Sequence, residues 1–211
     1  MDIYQPDTGD QRTEEWLEER RGKISATHMS DILMKPDKAG YRNYLMKLAL
    51  ERLTGKSLES WYCNADMQRG IDLEPIAREL YEFETGRIVE QLMWVDHPTI
   101  PMSGCSPDGS IMGGDAYEGG VETKCPKPAT HADYLLTEEV DRGYRLQMLW
   151  QMECQGLQWI DFVSYCPEFP ENLQLKVIRF NRDEEEIGKL KTAAVDFNRA
   201  VERMVEELRA L

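Results

Sequence analysis

Ser106-Pro107-Asp108-Gly109 and, fourteen positions on from its aspartate, Val121-Glu122-Thr123-Lys124-Cys125-Pro126 are the two stretches that decide how this 211-residue chain is read. Tyr117-Glu118-Gly119-Gly120 makes a turn-rich approach, and the run after it reads as a strand that Pro126 ends. Residues two apart on a strand share a face. Glu122 and Lys124 therefore project together, with Val121, Thr123 and Cys125 on the other side. Pro107 and Gly109 predict a tight turn that holds Asp108 at a strand end. Two adjacent strands then present Asp108 beside Glu122. Two carboxylates and one amine are the minimum set for cutting a phosphodiester with a hard cation. Mg²⁺ takes oxygen ligands, usually one or two carboxylates with waters and phosphate oxygens. The metal polarises the phosphate and lowers the pKa of a bound water. A lysine nearby orients or deprotonates that water, or steadies the charge that develops. A bare Asp and Glu-x-Lys also describes solvated charges in a hairpin, so the spacing alone leaves both readings open.

Working outward, Thr13 is a candidate N-cap for a helix through Arg21 that Gly22 stops, and residues 25 to 34 read as a second short helix. A helical apolar stripe runs from 41 to 54 and ends at Gly55. Residues 66 to 85 form another helix ending at Gly86, with Pro75 predicting a kink or a restart. Strands follow near 88 to 95, 101 to 105 and 118 to 125, then a helix over 142 to 155. Two further strands are predicted over Trp159–Tyr165 and Leu173–Phe180. A final helix starts near Asp183, with an apolar stripe of Ile187, Leu190, Ala194, Phe197, Val201, Met204, Leu208 and Leu211 expected to cover the sheet. This order predicts an α/β fold, a central mixed β-sheet flanked by helices, in a single domain over 1–211.

Four segments in series carry a resemblance. They are Trp16-Leu17-Glu18-Glu19-Arg20-Arg21-Gly22-Lys23-Ile24-Ser25-Ala26-Thr27, Arg69-Gly70-Ile71-Asp72-Leu73-Glu74-Pro75, the Asp108 and Glu122–Lys124 pair, and Tyr144-Arg145-Leu146-Gln147. Together they resemble, in order, the motifs of the phage lambda exonuclease-like branch of the PD-(D/E)XK nuclease superfamily, the alkaline-exonuclease-type viral recombination nucleases. The resemblance implies the PD-(D/E)XK core: three antiparallel strands, a crossover helix and a further strand. It also implies a Mg²⁺-dependent 5′→3′ exonuclease, with Mn²⁺ as a substitute cation. Such an enzyme digests one strand of linear double-stranded DNA to mononucleotides and leaves 3′ single-stranded tails for annealing recombination. The implied assembly is a ring-shaped homotrimer on double-stranded DNA ends. Its partner is a phage single-strand annealing protein, in the cytoplasm of a bacterial host, from a phage or prophage. A restriction- or repair-type endonuclease and a non-catalytic DNA-end-binding protein are the alternatives.

The same resemblance distributes roles. Asp108 and Glu122 hold metal, with the Thr123 carbonyl and the Glu74 carboxylate beside them. Lys124 and Gln147 complete the catalytic cluster. Arg20, Ser25 and Thr27 bind the 5′-phosphate. Local chemistry keeps plainer readings open. Glu74 lies on the helical line Met67, Ile71, Ala77, Tyr81, where an acid needs a partner or access to water. Gln147 reads equally as a satisfied core amide, and Arg20 as a surface arginine beside two N-cap hydroxyls. A guanidinium with hydroxyls at a helix N-terminus is nonetheless a phosphate pocket in outline.

Composition sets limits. No run approaches the length of a membrane span, and the start of the chain has neither the basic nor the apolar part of a signal peptide. Five widely spaced cysteines suit reduced thiols and offer no Cys-x-x-Cys pair, and the three histidines are not spaced as a metal site. The formal net charge of −14 opposes DNA binding at long range. However, Arg20, Arg21, Lys23, Lys124, Lys127, Arg142 and Arg145 cluster at the motifs, as a basic channel inside an acidic shell requires. The tryptophans read as core, except that Trp61, in a polar stretch, is a candidate DNA contact.

Overall fold

The computed structural model describes residues 13–58 and 64–211, so Trp61 and Cys63 lie outside the described residues. Two sheets organise it. In the larger, β2 (Val89–Glu90), β5 (Gly109–Met112), β6 (Tyr117–Lys124), β7 (Trp159–Tyr165) and β8 (Leu175–Asn181) lie in that order. The pairings are antiparallel except for β6 with β7, which run parallel with Glu122 opposite Phe162 and Lys124 opposite Ser164. A parallel pair needs a crossover. Here it is made by α5 (Pro128–Thr137) and α6 (Arg142–Gln155). This is the expected PD-(D/E)XK order: three antiparallel strands, a helical crossover, then a parallel neighbour.

The smaller sheet, which the hydrophobic pattern did not announce, has β1 (Ile24–Ser25) parallel to β4 (Ser103–Cys105) and β3 (Val95–Asp96) antiparallel to β4. The predicted strand over 88 to 95 is therefore two short strands in different sheets. The predicted helix over 25 to 34 is β1, a 3₁₀ turn at Ala26–His28 and a single turn of α-helix, α2 (Met29–Ile32). The sequence reading also placed no helix at α5, although Pro128 occupies the first helical position that proline favours.

The other helices match more closely. Thr13 caps α1 (Glu14–Arg20) by accepting from the Trp16 amide at 3.1 Å. Gly55 and Gly86 end α3 (Ala39–Thr54) and α4 (Ala65–Thr85) in left-handed conformations. α4 runs through Pro75 without a restart. The helix α7 (Glu184–Arg209) buries Ile187, Leu190, Ala194, Phe197, Val201 and Val205. That stripe does not cover the large sheet as expected. It closes on α2, α3 and α6, and Leu211 stands fully exposed.

Three cores result. Tyr81 of α4 packs on Val89, Ile111, Val121 and Val163 on one face of the large sheet. Tyr134, Met148 and Met152 pack on Leu157, Ile160, Phe162 and Ile178 on the other. Leu146, Leu149 and Trp150 face away from the sheet, into the α2–α3–α7 layer. Every residue of α6 from Leu146 to Cys154 is consequently buried, the signature of a helix enclosed on all sides. Close strand approach adds a local demand: a Cβ at Gly109 would sit 2.0 Å from Val89 Cγ1, so only glycine follows Asp108 here.

Two polar clamps lock the sheet to α4. Buried Asp161 accepts from Tyr81 Oη at 2.8 Å and from Arg179 at 2.7 and 2.8 Å, with the Arg179 guanidinium 3.6 Å from the Trp159 ring. Arg69 donates to both oxygens of Glu168 at 2.7 Å and to the Cys125 carbonyl at 3.1 Å. Tyr81→Phe is expected to cost about 1–2 kcal/mol in urea unfolding, one lost donor to a carboxylate that keeps its arginine. Asp161→Ala should cost more, roughly 3 kcal/mol, because it leaves the buried Tyr81 hydroxyl without its acceptor and also removes both Arg179 hydrogen bonds; equal costs would show that the arginine contributes nothing. The Arg69 hydrogen bonds, with help from Cys166, hold the Glu168 carboxyl down to about 2. A depressed carboxylate stabilises the fold above its ordinary range and loses that contribution as pH falls towards 2. Arg69→Ala should thus flatten the acid limb of the stability–pH curve below about pH 4.5, modestly, since Glu168 is half exposed.

Candidate active site

Asp108 and Glu122 meet where β5 begins and β6 ends, because Gly109 pairs with Val121. Asp108 Oδ2 accepts the Thr123 main-chain N–H at 2.7 Å, which ties the loop before β5 to the strand that carries Glu122 and Lys124. Glu122 is fully buried and points at α6. Its Oε1 accepts from Gln147 Nε2 at 2.7 Å and from the Lys124 ammonium in a very short contact. Its Oε2 accepts from Gln151 Nε2 at 2.7 Å. Lys124 Nζ also reaches the Thr123 carbonyl at 3.2 Å and lies 5.2 Å from the Tyr144 ring centroid. Strand alternation placed Glu122 and Lys124 on one face as expected; what brings Gln147 to them is the crossover helix lying across that face.

The charges are strongly coupled. Burial first, and then the neighbouring Glu122 and Glu74 carboxylates, raise the Asp108 carboxyl well above its ordinary range, against the pull of Lys124 and the Thr123 N–H. Burial works to lower the Lys124 ammonium, but Glu122 and Asp108 outweigh it and hold its proton more tightly than in water. Glu74, on α4, is half-buried and close enough to act on both Asp108 and Cys125. The Cys125 thiol is pushed up to about 12, chiefly by burial and then by Glu74, so it stays a neutral thiol at physiological pH.

These donors suit a hard cation. Carboxylate and carbonyl oxygens converge, no thiolate is present, and three acids crowd one another, a repulsion that a divalent ion relieves. Among the described residues no three His, Cys, Asp or Glu side chains form a ready metal cage. What the Asp108 and Glu122 carboxylates and the Thr123 carbonyl offer is an all-oxygen donor set, the kind Mg²⁺ takes when it completes its shell with water and substrate oxygens. Asp108, Glu122 and the Thr123 carbonyl are the residues that can hold it, with Glu74 contributing charge.

The second constellation lies alongside. Ser25 Oγ and Thr27 Oγ1 are 3.0 Å apart, and Tyr44 Oη accepts the Ser25 N–H at 3.0 Å. The Arg20 guanidinium stacks 3.9 Å above Trp16 and is near enough to Tyr44 to act on its hydroxyl. The Trp16 indole N–H donates to Ser106 Oγ at 3.0 Å, two residues before Asp108. The predicted anion-binding helix N-terminus is absent, since Ser25 ends a strand and Thr27 sits in a 3₁₀ turn. Arg20, Ser25 and Thr27 are nevertheless brought to one side of the Ser106–Asp108 loop.

Gln151 and Trp16 escaped the sequence reading as site residues. The signal for Gln151 was its position one helical turn after Gln147 in an otherwise apolar helix. Nothing local points from Trp16 to Ser106. None of the described contacts brings a histidine to Asp108 or Glu122, although His28 stacks 4.0 Å from the Tyr44 ring beside Ser25 and Thr27. His131 is satisfied by Ser164 Oγ and the Leu173 carbonyl at 2.7 and 2.8 Å, and His28 pairs with Asp31 at 2.7 Å. His97 Nδ1 accepts the Thr99 and Ile100 N–H groups. No described helix is long and apolar enough to cross a membrane.

Comparison with known proteins bears on the family and the fold. Residues 15–158 match the model of the YqaJ-like viral recombinase domain. The structure superposes on that of an alkaline exonuclease (LHK-Exo) from Laribacter hongkongensis with a TM-score of 0.85 and 40% identity, covering 94% of this chain and 97% of that one. The same protein in complex with dAMP gives the same figures. A phage-related exonuclease from Haemophilus somnus 129PT shares the fold, with a TM-score of 0.70, 17% identity, and 88% and 96% coverage. No curated protein matches the chain significantly. With its family domain, its fold and a 40%-identical structural relative in accord, the chain belongs to the YqaJ-like viral recombinase family, in the lambda exonuclease-like branch of the PD-(D/E)XK nucleases.

Proposed function

We propose that the chain is a Mg²⁺-dependent 5′→3′ exonuclease. It removes one strand of linear double-stranded DNA as mononucleotides and leaves 3′ single-stranded tails for single-strand-annealing recombination. The observation that carries this reading is the cluster of half-buried Asp108 and Lys124 with buried Glu122 and Gln147 around one end of β6. Membership of a nuclease family supports it, as does the alkaline exonuclease relative, which has been captured with dAMP, a mononucleotide of the kind such a reaction releases.

The cation, when bound at Asp108, Glu122 and the Thr123 carbonyl, supplies Lewis acidity and an activated water. The chain's own residues do the rest. Gln147 and Lys124 hold the Glu122 carboxylate in place. Lys124, a tightly held ammonium, orients the attacking water and steadies negative charge on the phosphate. Glu74 adds charge to the same cluster. Arg20, Ser25 and Thr27 receive the terminal 5′-phosphate and so set which strand enters. A homotrimer ring around the duplex, with a phage annealing protein as partner in the bacterial cytoplasm, completes the proposal; Mn²⁺ is the expected substitute cation. A ring would answer the charge problem by turning acidic surface outwards, since the chain carries a net charge of −14 and Arg21, Lys23 and Lys127 are themselves paired with Glu18, Asp96 and Asp66.

The test is digestion of a linear duplex 5′-phosphorylated at one end and labelled separately on each strand, with Mg²⁺ or with a chelator. Loss of the phosphorylated strand to mononucleotides in Mg²⁺ alone is expected, with closed circles untouched. Absence of cleavage in both Mg²⁺ and Mn²⁺ would sink the enzyme reading; internal cuts would turn it into an endonuclease. In the same assay Asp108→Asn, Glu122→Gln and Lys124→Ala are each expected to lower the rate by about 10²–10³-fold or more. Arg20→Ala should erode the preference for 5′-phosphate over 5′-hydroxyl ends by roughly 10- to 100-fold, the worth of one charge-assisted contact. An equal loss on both kinds of end would reduce Arg20 to a support for Trp16.

A further inference from the structure

We propose that Gln151 is a positioning residue for Glu122, its amide fixing Oε2 so that this oxygen's remaining lone pair is presented to the metal; this rests on the nuclease reading above. Glu122 has no exposure to solvent, so each of its oxygens must be satisfied by protein donors. Gln147 and Lys124 serve Oε1, and Gln151, one turn further along α6, serves Oε2 at 2.7 Å. A carboxylate gripped on both oxygens by amides of one rigid helix cannot rotate about its terminal bond without losing a donor.

The amide of Gln151 is not an ordinary satisfied core group. Its Oε1 is buried without a hydrogen-bond partner among the described residues. Such an orphan is destabilising, because a buried acceptor has given up its water without a replacement. Turning the amide over would set that oxygen against Glu122 Oε2, so the orientation is dictated by the carboxylate. Met148 and Met152 fill the same layer with apolar side chains; a methionine at 151 would pack there without the orphan. What glutamine adds at this place is the donor to Glu122. The grip extends one further turn. Ser110 Oγ, two residues after Asp108, donates to Gln155 Oε1 at 2.5 Å, and Gln155 Nε2 reaches the Gln151 main-chain carbonyl at 3.4 Å. Gln147, Gln151 and Gln155 thus form a ladder joining the Asp108 strand to the Glu122 strand.

The experiment is Mn²⁺ titration of the full chain by calorimetry, with the Mg²⁺ dependence of cleavage and thermal unfolding measured alongside. Gln151→Met is expected to weaken Mn²⁺ binding by about 10- to 100-fold, the usual cost of removing a group that orients a ligand. The Mg²⁺ needed for half-maximal cleavage should rise in parallel, while duplex-end binding in chelator stays unchanged. Wild-type Mn²⁺ affinity in a merely less stable Gln151→Met protein overturns the proposal. If that variant does not fold, Glu122→Gln combined with Gln151→Met decides: recovery of the fold shows that the carboxylate imposes the need for Gln151, whereas continued failure assigns Gln151 to packing and overturns it. The two readings fail separately. A wild type that binds Mn²⁺ but cuts no DNA defeats the nuclease reading, and the Mn²⁺ shift still judges Gln151. A wild type that cuts, with a variant of unchanged Mn²⁺ affinity, defeats the Gln151 proposal alone. A wild type that takes up no Mn²⁺ defeats both.

Discussion

The rest of the structure depends on the burial of the Glu122 carboxylate beneath α6. A charge taken wholly out of water is tolerable only with donors at fixed positions. That requirement accounts for Gln147 and Gln151 on the sheet-facing side of the crossover helix, among the apolar Leu146, Met148, Leu149, Trp150 and Met152. It also explains why α6 is enclosed on every side. Met148 and Met152 seat it on β7, and Leu146, Leu149 and Trp150 seat it against the α2–α3–α7 layer. α7, which the sequence assigned to the sheet, instead acts as the outer wall that keeps α6 from shifting. A helix anchored from both sides holds two amides against one carboxylate; an exposed helix would not.

The second constraint is electrostatic. Asp108, Glu122 and Glu74 crowd one end of the sheet, and Lys124 compensates them in part. Burial first, and then the neighbouring acids, raise the Asp108 carboxyl. The chain spends stability here and recovers it at clamps that tie α4 to the sheet, Asp161 with Arg179 and Tyr81, and Arg69 with Glu168 and with the Cys125 carbonyl beside Lys124.

Much of the fold was legible from local signals. β6, β7, α3, α4 and α6 follow from hydrophobic periodicity bounded by Gly55, Gly86, Gly156 and Pro126, and Thr13 and Asp183 cap their helices through their own side chains. The small sheet was not legible, because two- and three-residue strands such as β1 and β3 exist through partners distant in sequence. α5 was obscured by polar residues on its exposed face, and the stripe of α7 says that something covers it without saying what.

The sequence by itself determined that Glu122 and Lys124 share a face, because a strand alternates, and that Asp108 stands at the end of the neighbouring strand; the turn expected from Pro107 and Gly109 is only a bend at Asp108, with Gly109 already paired in β5. It also aligned four motifs with one nuclease family. Only the tertiary structure decided that Gln147 and Gln151 converge on the two oxygens of one carboxylate, that Trp16 reaches Ser106, and that Glu74 acts on Asp108 from another helix. Those relations are set by how helices cross a sheet, through contacts between residues tens of positions apart, and no local pattern in the chain encodes which side chains will meet there.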